Sequence, residues 1–249
     1  MAAANESNDP ARLWIVRHGE SLGNLARDRA FASGVDRIEI EERDVDVPLS
    51  DLGARQAEAL GGWFARYGPD ERPEVAIASP YRRARQTAEI ALNAGDLDLR
   101  LLIDERLRER EFGVLDRLTT GGIHRLYPEQ AQLRATLGKF YHRPPGGESW
   151  CDVVLRLRSF IDTLRLCHAG RRVLIVCHQV VVLCLRYVLE EMDEAEILAI
   201  DHEGDVINCS VTEYGLDGQL KLTRYNEAAP MDQAGTPVTA EPSKEAAAG

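Results

Sequence analysis

An alternation of two patterns constrains the fold of this chain more than any other feature. Short apolar runs at Leu13 to Val16, Val75 to Ala78, Leu99 to Leu102, Val173 to Cys177, Val206 to Val211 and Leu220 to Thr223 are separated by longer stretches with helical patterning. Brief runs rich in Val, Ile and Leu suit strands covered on both faces. Strands joined by helical crossovers build a mainly parallel sheet, so the expected class is α/β: a three-layer, doubly wound, mainly parallel sheet. Ser50 caps an expected helix running to about Tyr67, and Ser149 with Asp152 three residues on opens another that ends before Gly170. A third begins at Gln179, directly after the run ending in Cys177.

Residues 1–10 and 226–249 are rich in small, polar and acidic residues with almost nothing large and apolar, and are expected to be disordered tails around one domain spanning 11–225. A chain of 249 residues buries enough surface to need neither disulfides nor a structural metal. Cys151, Cys167, Cys177, Cys184 and Cys209 are odd in number with no C-x-x-C pair, and are expected to be reduced, mostly core thiols. The longest apolar stretches are far shorter than the roughly 20 residues of a membrane helix. The start MAAANESNDP lacks the basic and apolar regions of a signal peptide. The expectation is a cytoplasmic protein without a membrane partner. The formal net charge of -11 argues against nucleic acid, whose affinity comes from Lys and Arg neutralising phosphates. It does not argue against a small anion, because a pocket is set by a few local groups.

In doubly wound sheets ligands bind beyond the carboxyl ends of the strands. Three such ends carry Arg17-His18-Gly19, Ser79-Pro80-Tyr81-Arg82-Arg83 and His178-Gln179. Two imidazoles beside guanidinium groups make a poor metal site, since the fixed cations oppose another cation and no carboxylate completes the ligand set. They make a good phosphate site, because arginine presents forked donors that match phosphoryl oxygens. An imidazole within reach of that phosphate can act as a nucleophile. His124, His142, His168 and His202 match no such pattern and are assigned to the surface or to packing.

Four motifs carry a resemblance to a known family: LWIVRHGESLGN (Leu13 to Asn24), SPYRRARQTAEIA (Ser79 to Ala91), LREREFG (Leu107 to Gly113) and VLIVCHQ (Val173 to Gln179). In this order they resemble the histidine phosphatase superfamily, which includes phosphoglycerate mutases and fructose-2,6-bisphosphatases, over about residues 12–225. The resemblance implies the phosphoglycerate mutase-like fold, His18 as the residue that is phosphorylated, and Arg17, Arg83, His178 and Asn24 as groups holding the phosphoryl oxygens. It implies Glu109 as the acid and base, with Glu111 the neighbour most easily confused with it; Asn24 could instead organise the helix that follows. It implies no metal and no cofactor.

Residues 138–150 and 173–189 look more like the fructose-2,6-bisphosphatase branch than the mutase branch, whose Gly-Asn after the second histidine is here Gln179-Val180. By motif position Arg134, Lys139, Trp150 and Gln179 would contact the rest of the substrate. Two departures stand against that branch: Thr120 replaces a tyrosine and Leu183 replaces an arginine. The expected activity is metal-independent hydrolysis of a small phosphomonoester, a phosphorylated metabolite such as a sugar phosphate, through a phosphohistidine. A phosphoglycerate mutase and a non-catalytic phospholigand-binding module are the alternatives. The segment 28–47 is either a flap over the site or a long surface loop.

Overall fold

The computed structural model describes residues 8–240. Their strands, β1 (Arg12–Arg17), β2 (Val75–Ala78), β3 (Leu101–Ile103), β4 (Arg172–Cys177), β5 (Val211–Asp217) and β6 (Gln219–Glu227), form one sheet in the order β3-β2-β4-β1-β5-β6. The first four in that order run parallel, and β5 and β6 add an antiparallel edge. The helices are α1 (Leu22–Ser33), α2 (Asp51–Phe64), α3 (Arg82–Ala94), α4 (Thr120–Leu126), α5 (Pro128–Tyr141), α6 (Trp150–Cys167), α7 (Gln179–Leu189), α8 (Glu194–Glu203) and α9 (Ala229–Ala234).

Side-chain alternation along β1 and β4 sets the layers. Leu13, Ile15, Val173, Ile175 and Cys177 face a core shared with α6, α7 and α8. Trp14, Val16, Leu174 and Val176 face the opposite core, where Leu60, Trp63 and Phe64 of α2 meet Ala84, Ala88 and Ala91 of α3. The expected three-layer α/β architecture is what the chain adopts. The caps at Ser50 and Ser149 hold as well: Ser50 Oγ accepts from Gly53 N at 3.0 Å, and Ser149 and Asp152 form a reciprocal capping box at the start of α6. Among the described residues no helix is long and apolar enough to cross a membrane.

Three expectations are corrected. The run Val206 to Val211 is not a strand: Cys209 adopts a left-handed backbone (φ 55°), the chain turns there, and β5 begins only at Val211. Strand β3 starts at Leu101 rather than Leu99, because Leu99 N donates to Leu97 O in a preceding turn. The stretch from 226 to 240 is packed rather than disordered. Its first two residues end β6, and α9 follows, with Pro230 in its first turn and Gly235 as a left-handed cap. Met231 is fully buried against Ala57 of α2 and Cys209. At the other end Asp9 is buried and paired with Arg165 at 2.7 Å. The rest of both expected tails, 1–7 and 241–249, lies outside the described residues.

A buried methionine truncated to alanine typically costs about 2–5 kcal/mol through lost transfer energy and a residual cavity. Met231→Ala is therefore expected to lower the unfolding free energy by about 2–3 kcal/mol in urea titrations. A change within a few tenths would mean that α9 does not dock as described.

Candidate functional site

The in-register pairing of β1 with β4 ends at Arg17 opposite Cys177, so the next residue on each strand, His18 and His178, emerges at the same edge of the sheet. Their ring centroids are 5.1 Å apart. Ser79 follows β2 on the other side of β4, and its hydroxyl lies 2.7 Å from His178 Nε2. Arg83 comes from the first turn of α3. Arg17, His18, Arg83 and His178 are all buried, His178 completely. His178 is also the residue at which α7 begins, so the positive end of a helix dipole adds to the two guanidinium charges.

The hydrogen bonds fix the tautomer of His18. Its Nδ1 lies 2.7 Å from Gly19 O, which can only accept, so Nδ1 carries the proton. Its Nε2 lies 3.2 Å from Arg83 Nε, which can only donate, so Nε2 carries the lone pair. Burial, and then the charges of Arg83 and Arg17, hold the His18 pKa well below the ordinary imidazole value. Burial followed by Arg83 and His18 does the same for His178. Two neutral imidazoles thus stand beside two buried, permanent cations.

The loop under His18 is braced by residues that carry no motif. Asn208 Nδ2 donates to His18 O at 2.9 Å, and Asn208 Oδ1 accepts from Thr239 Oγ1 at 3.1 Å. Cys209 N donates to Arg17 O at 3.0 Å, while Arg17 Nη1 donates to Val206 O. The left-handed turn at Cys209 is what lets this segment meet both residues. Gln56 Oε1 accepts from Glu20 N at 2.8 Å, and its Nε2 donates to Pro237 O and Thr239 Oγ1. The C-terminal segment thereby reaches the His18 loop along two routes. Gly53 is required where α2 passes that loop, since a Cβ there would stand 1.9 Å from Glu20 O.

Glu109 lies half-buried in the loop after β3, with Arg156 Nη2 donating to its carbonyl at 3.3 Å. Burial is the larger cause that pushes up the thiols of Cys177 at the end of β4 and Cys184 in α7; the Glu109 charge adds to it in both, and in Cys184 the Arg156 charge works the other way. Glu111 is more exposed and accepts from Tyr81 Oη at 2.9 Å. The Tyr81 ring in turn packs 5.0 Å from His178. Both carboxylates therefore belong to this end of the sheet.

The outer residues divide. Trp150 is fully buried in the core with Phe140 and Leu157, so it presents no face to a ligand; this corrects its expected binding role. Leu183, which replaces an arginine of the fructose-2,6-bisphosphatase branch, is likewise a core residue. Lys139 is paired with Asp201 and stands over Trp150, and Gln179 Nε2 donates to Asp205 at 2.6 Å. Arg134 has its pKa lowered by desolvation, and burial first, then the Arg134 charge, lowers those of Arg110 and His142. Asn24 Oδ1 accepts from Ser21 N at 2.9 Å and Ser21 Oγ at 2.8 Å in a capping box, so its side chain does organise α1.

Sequence reasoning gave no place to Asp44. It lies in a 3-10 turn (Asp44–Asp46) of the 28–47 segment and reaches Arg83: Arg83 Nη1 donates to Asp44 O at 2.6 Å and to Oδ1 at 2.9 Å. Part of that segment therefore does lie over the site. Among the described residues no cluster of His, Cys, Asp and Glu is arranged to hold a metal ion. Two buried guanidinium groups and His178 beside a neutral imidazole suit a tetrahedral oxyanion, although the lone pair of that imidazole accepts from Arg83 as the site stands.

Comparison with known proteins bears on this geometry. A model of the histidine phosphatase superfamily (branch 1) matches residues 13–228, and the chain belongs to that family. The bifunctional protein Rv2228c of Mycobacterium tuberculosis is 29% identical over 219 residues, 88% of this chain and 54% of its own length. The chain thus spans about half the length of that relative. A probable phosphoglycerate mutase, GpmB, of Yersinia pestis is 32% identical over 176 residues, 70% of this chain and 72% of its own. Among solved structures, mycobacterial glucosyl-3-phosphoglycerate phosphatase Rv2419c superposes with a TM-score of 0.69 at 26% identity, covering 87% of this chain and 99% of that one. A putative alpha-ribazole-5'-P phosphatase from Escherichia coli shares the fold with a TM-score of 0.71 at 21% identity, over 88% and 98% of the two chains.

The depressed imidazole pKa values have a signed consequence for stability. Unfolded histidines take up protons below about 6.5, whereas folded His18 and His178 do so only at lower pH. The unfolded state then binds more protons, so stability falls as pH drops from about 6.5 towards the folded values and is indifferent to these groups above it. Each contributes a slope of up to about 1.4 kcal/mol per pH unit. His18→Asn is expected to flatten the pH dependence of urea unfolding between pH 5 and 6.5; an unchanged slope would contradict the buried neutral state.

Proposed function

We propose that the protein is a phosphatase that hydrolyses a small phosphomonoester through a phosphohistidine at His18. The observation that carries this reading is the fixed neutral tautomer of His18, whose Nε2 lone pair faces Arg83 in a pocket that also buries Arg17. A neutral imidazole can attack phosphorus; a protonated one cannot. Nε2 forms the bond to phosphorus as the ester P–O bond breaks, with Glu109 protonating the departing alcohol oxygen. Water then attacks the phosphohistidine, Glu109 takes its proton, and His18 leaves neutral. Arg17, Arg83 and His178 hold the phosphoryl oxygens and offset the charge spread over them, with the Asn24 amide as a further donor. Permanent cations supply the charge stabilisation, and the chemistry calls for no metal or cofactor.

The substrate class is a small phosphorylated metabolite, in keeping with the phosphatase names carried by structures of the same fold. Arg134, Lys139 and Gln179 are the side chains on hand for the rest of that molecule. With Trp150 and Leu183 both in the core, two contacts of the fructose-2,6-bisphosphatase branch are not offered, which favours another phosphate ester. A mutase is the second reading, favoured by the identity to GpmB.

A panel of phosphate monoesters, assayed with and without 2,3-bisphosphoglycerate, separates the readings. Free phosphate and acid-labile protein phosphate are expected, both lost in His18→Ala; interconversion of 2- and 3-phosphoglycerate without net release would replace hydrolysis with the mutase. Glu109→Gln is expected to lower kcat/KM, which reports formation of the phosphohistidine, about a hundred- to ten-thousand-fold with alkyl esters and much less with p-nitrophenyl phosphate. An equal loss in Glu111→Gln would transfer the acid role to that residue.

A further inference from the structure

All three guanidinium nitrogens of Arg83 are engaged, and what they engage is at odds with binding a phosphoryl group. Its Nε donates to the lone pair of His18 Nε2 at 3.2 Å. Its Nη1 donates to Asp44 O and Oδ1, and its Nη2 lies 3.3 Å from Asp44 Oδ2. The two carboxylate oxygens thus meet the outer edge of the guanidinium as two phosphoryl oxygens would. The lone pair that would attack phosphorus is meanwhile covered by Nε–H. A nitrogen lone pair cannot accept that bond and form one to phosphorus at once, so reaction requires Arg83 to shift.

We propose that Asp44 is an internal stand-in for the phosphoryl group: its carboxylate occupies Arg83 and holds it over His18 until a phosphoryl ligand displaces it, and it thereby sets the affinity of the site. This rests on the reading of the site as a phosphoryl site. The surroundings permit the exchange. On one side of Asp44 the segment is anchored by Arg117, whose Nη1 donates to Ile40 O at 2.7 Å, and by Ile38 N donating to Arg117 O at 2.8 Å. On the other side Leu22 N donates to Pro48 O at 3.1 Å, and Val47 is buried. Only the turn between these anchors has to move. The Asp44 side chain is 48% exposed against 7% for Arg83, so the carboxylate can return to water while the guanidinium stays buried and, freed from Asp44, turns off His18 towards the ligand.

The cost of displacing Asp44 falls equally on every phosphoryl ligand, but inorganic phosphate has no alcohol portion with which to offset it. Asp44 therefore lowers the affinities for ester and product by the same factor, and the product, with fewer contacts of its own, is left the weaker ligand. A site competent for only a fraction of the time shows an affinity reduced by that fraction.

Calorimetric titration with inorganic phosphate at fixed ionic strength tests this, using the wild type, Asp44→Asn and Asp44→Ala, with circular dichroism and thermal unfolding to establish that each is folded. Both variants are expected to bind phosphate about three- to tenfold more tightly, and the gain should vanish when Arg83→Gln is the background. Phosphate binding that is unchanged or weaker in both variants would overturn the proposal, since Asp44 would then orient Arg83 for the ligand instead of competing with it. A gain that persists with Arg83→Gln would overturn it too, as a general effect of removing negative charge. Absence of phosphate binding in the wild type and both variants would remove the phosphoryl site and this proposal together. Tighter binding in the variants by a protein that hydrolyses no ester would leave the proposal standing and remove only the phosphatase reading.

Discussion

The register between β1 and β4 is the constraint on which the rest of the site depends. Because Leu13 pairs with Val173 and every later residue follows in step, the two strands end together and their next residues, both histidines, share one edge. A slip of one residue would exchange the faces of β1, sending Trp14 and Val16 into the core built for Leu13 and Ile15. The two cores that clamp the sheet therefore also fix the distance between the imidazoles. Packing specifies the chemistry here, with no direct hydrogen bond between the two rings needed to hold them.

Much of this was legible in the chain. The apolar runs at β1, β2 and β4 are short and bounded, and the residues just past them carry unusual polarity, so the sheet and the set Arg17, His18, Arg83 and His178 could be read from local pattern and motif. Val206 to Val211 misled because its composition suits a strand, while the turn inside it depends on a left-handed cysteine that no composition announces. The C-terminal helix did carry a signal, Pro230 at its start and Gly235 at its end, but in an alanine-rich stretch the signal was outweighed. What anchors that helix is Met231, whose partner surface on α2 exists only once the chain is folded.

The outer residues show a different limit. A motif position tells where a side chain starts but not which way the local backbone turns it. Trp150 begins α6 and points into the core beneath Lys139, whereas a reading by motif position turned it towards a ligand. Asp44 and Asn208 escaped notice for the complementary reason. Each acts through a contact made across a large sequence separation, Asn208 with His18 and Asp44 with Arg83, and neither stands in a local pattern.

The charges explain why an acidic chain can hold an anion site. The formal charge of -11 is spread over the whole molecule, where water and salt screen it within about 8–10 Å. At the end of β1 and β4, Arg17 and Arg83 are buried and are screened far less. Burial and those same two charges keep both imidazoles neutral, so the local charge is set by the guanidinium groups and not by pH in the physiological range. Two fixed positive charges match a phosphoryl dianion. Protonating either histidine would add a further cation but consume an imidazole lone pair, and in the proposed reaction the His18 lone pair is the nucleophile. In the proposed reaction the arginines thus do two things at once: they attract the phosphoryl group, and by repelling a proton they keep the atom that would attack it reactive.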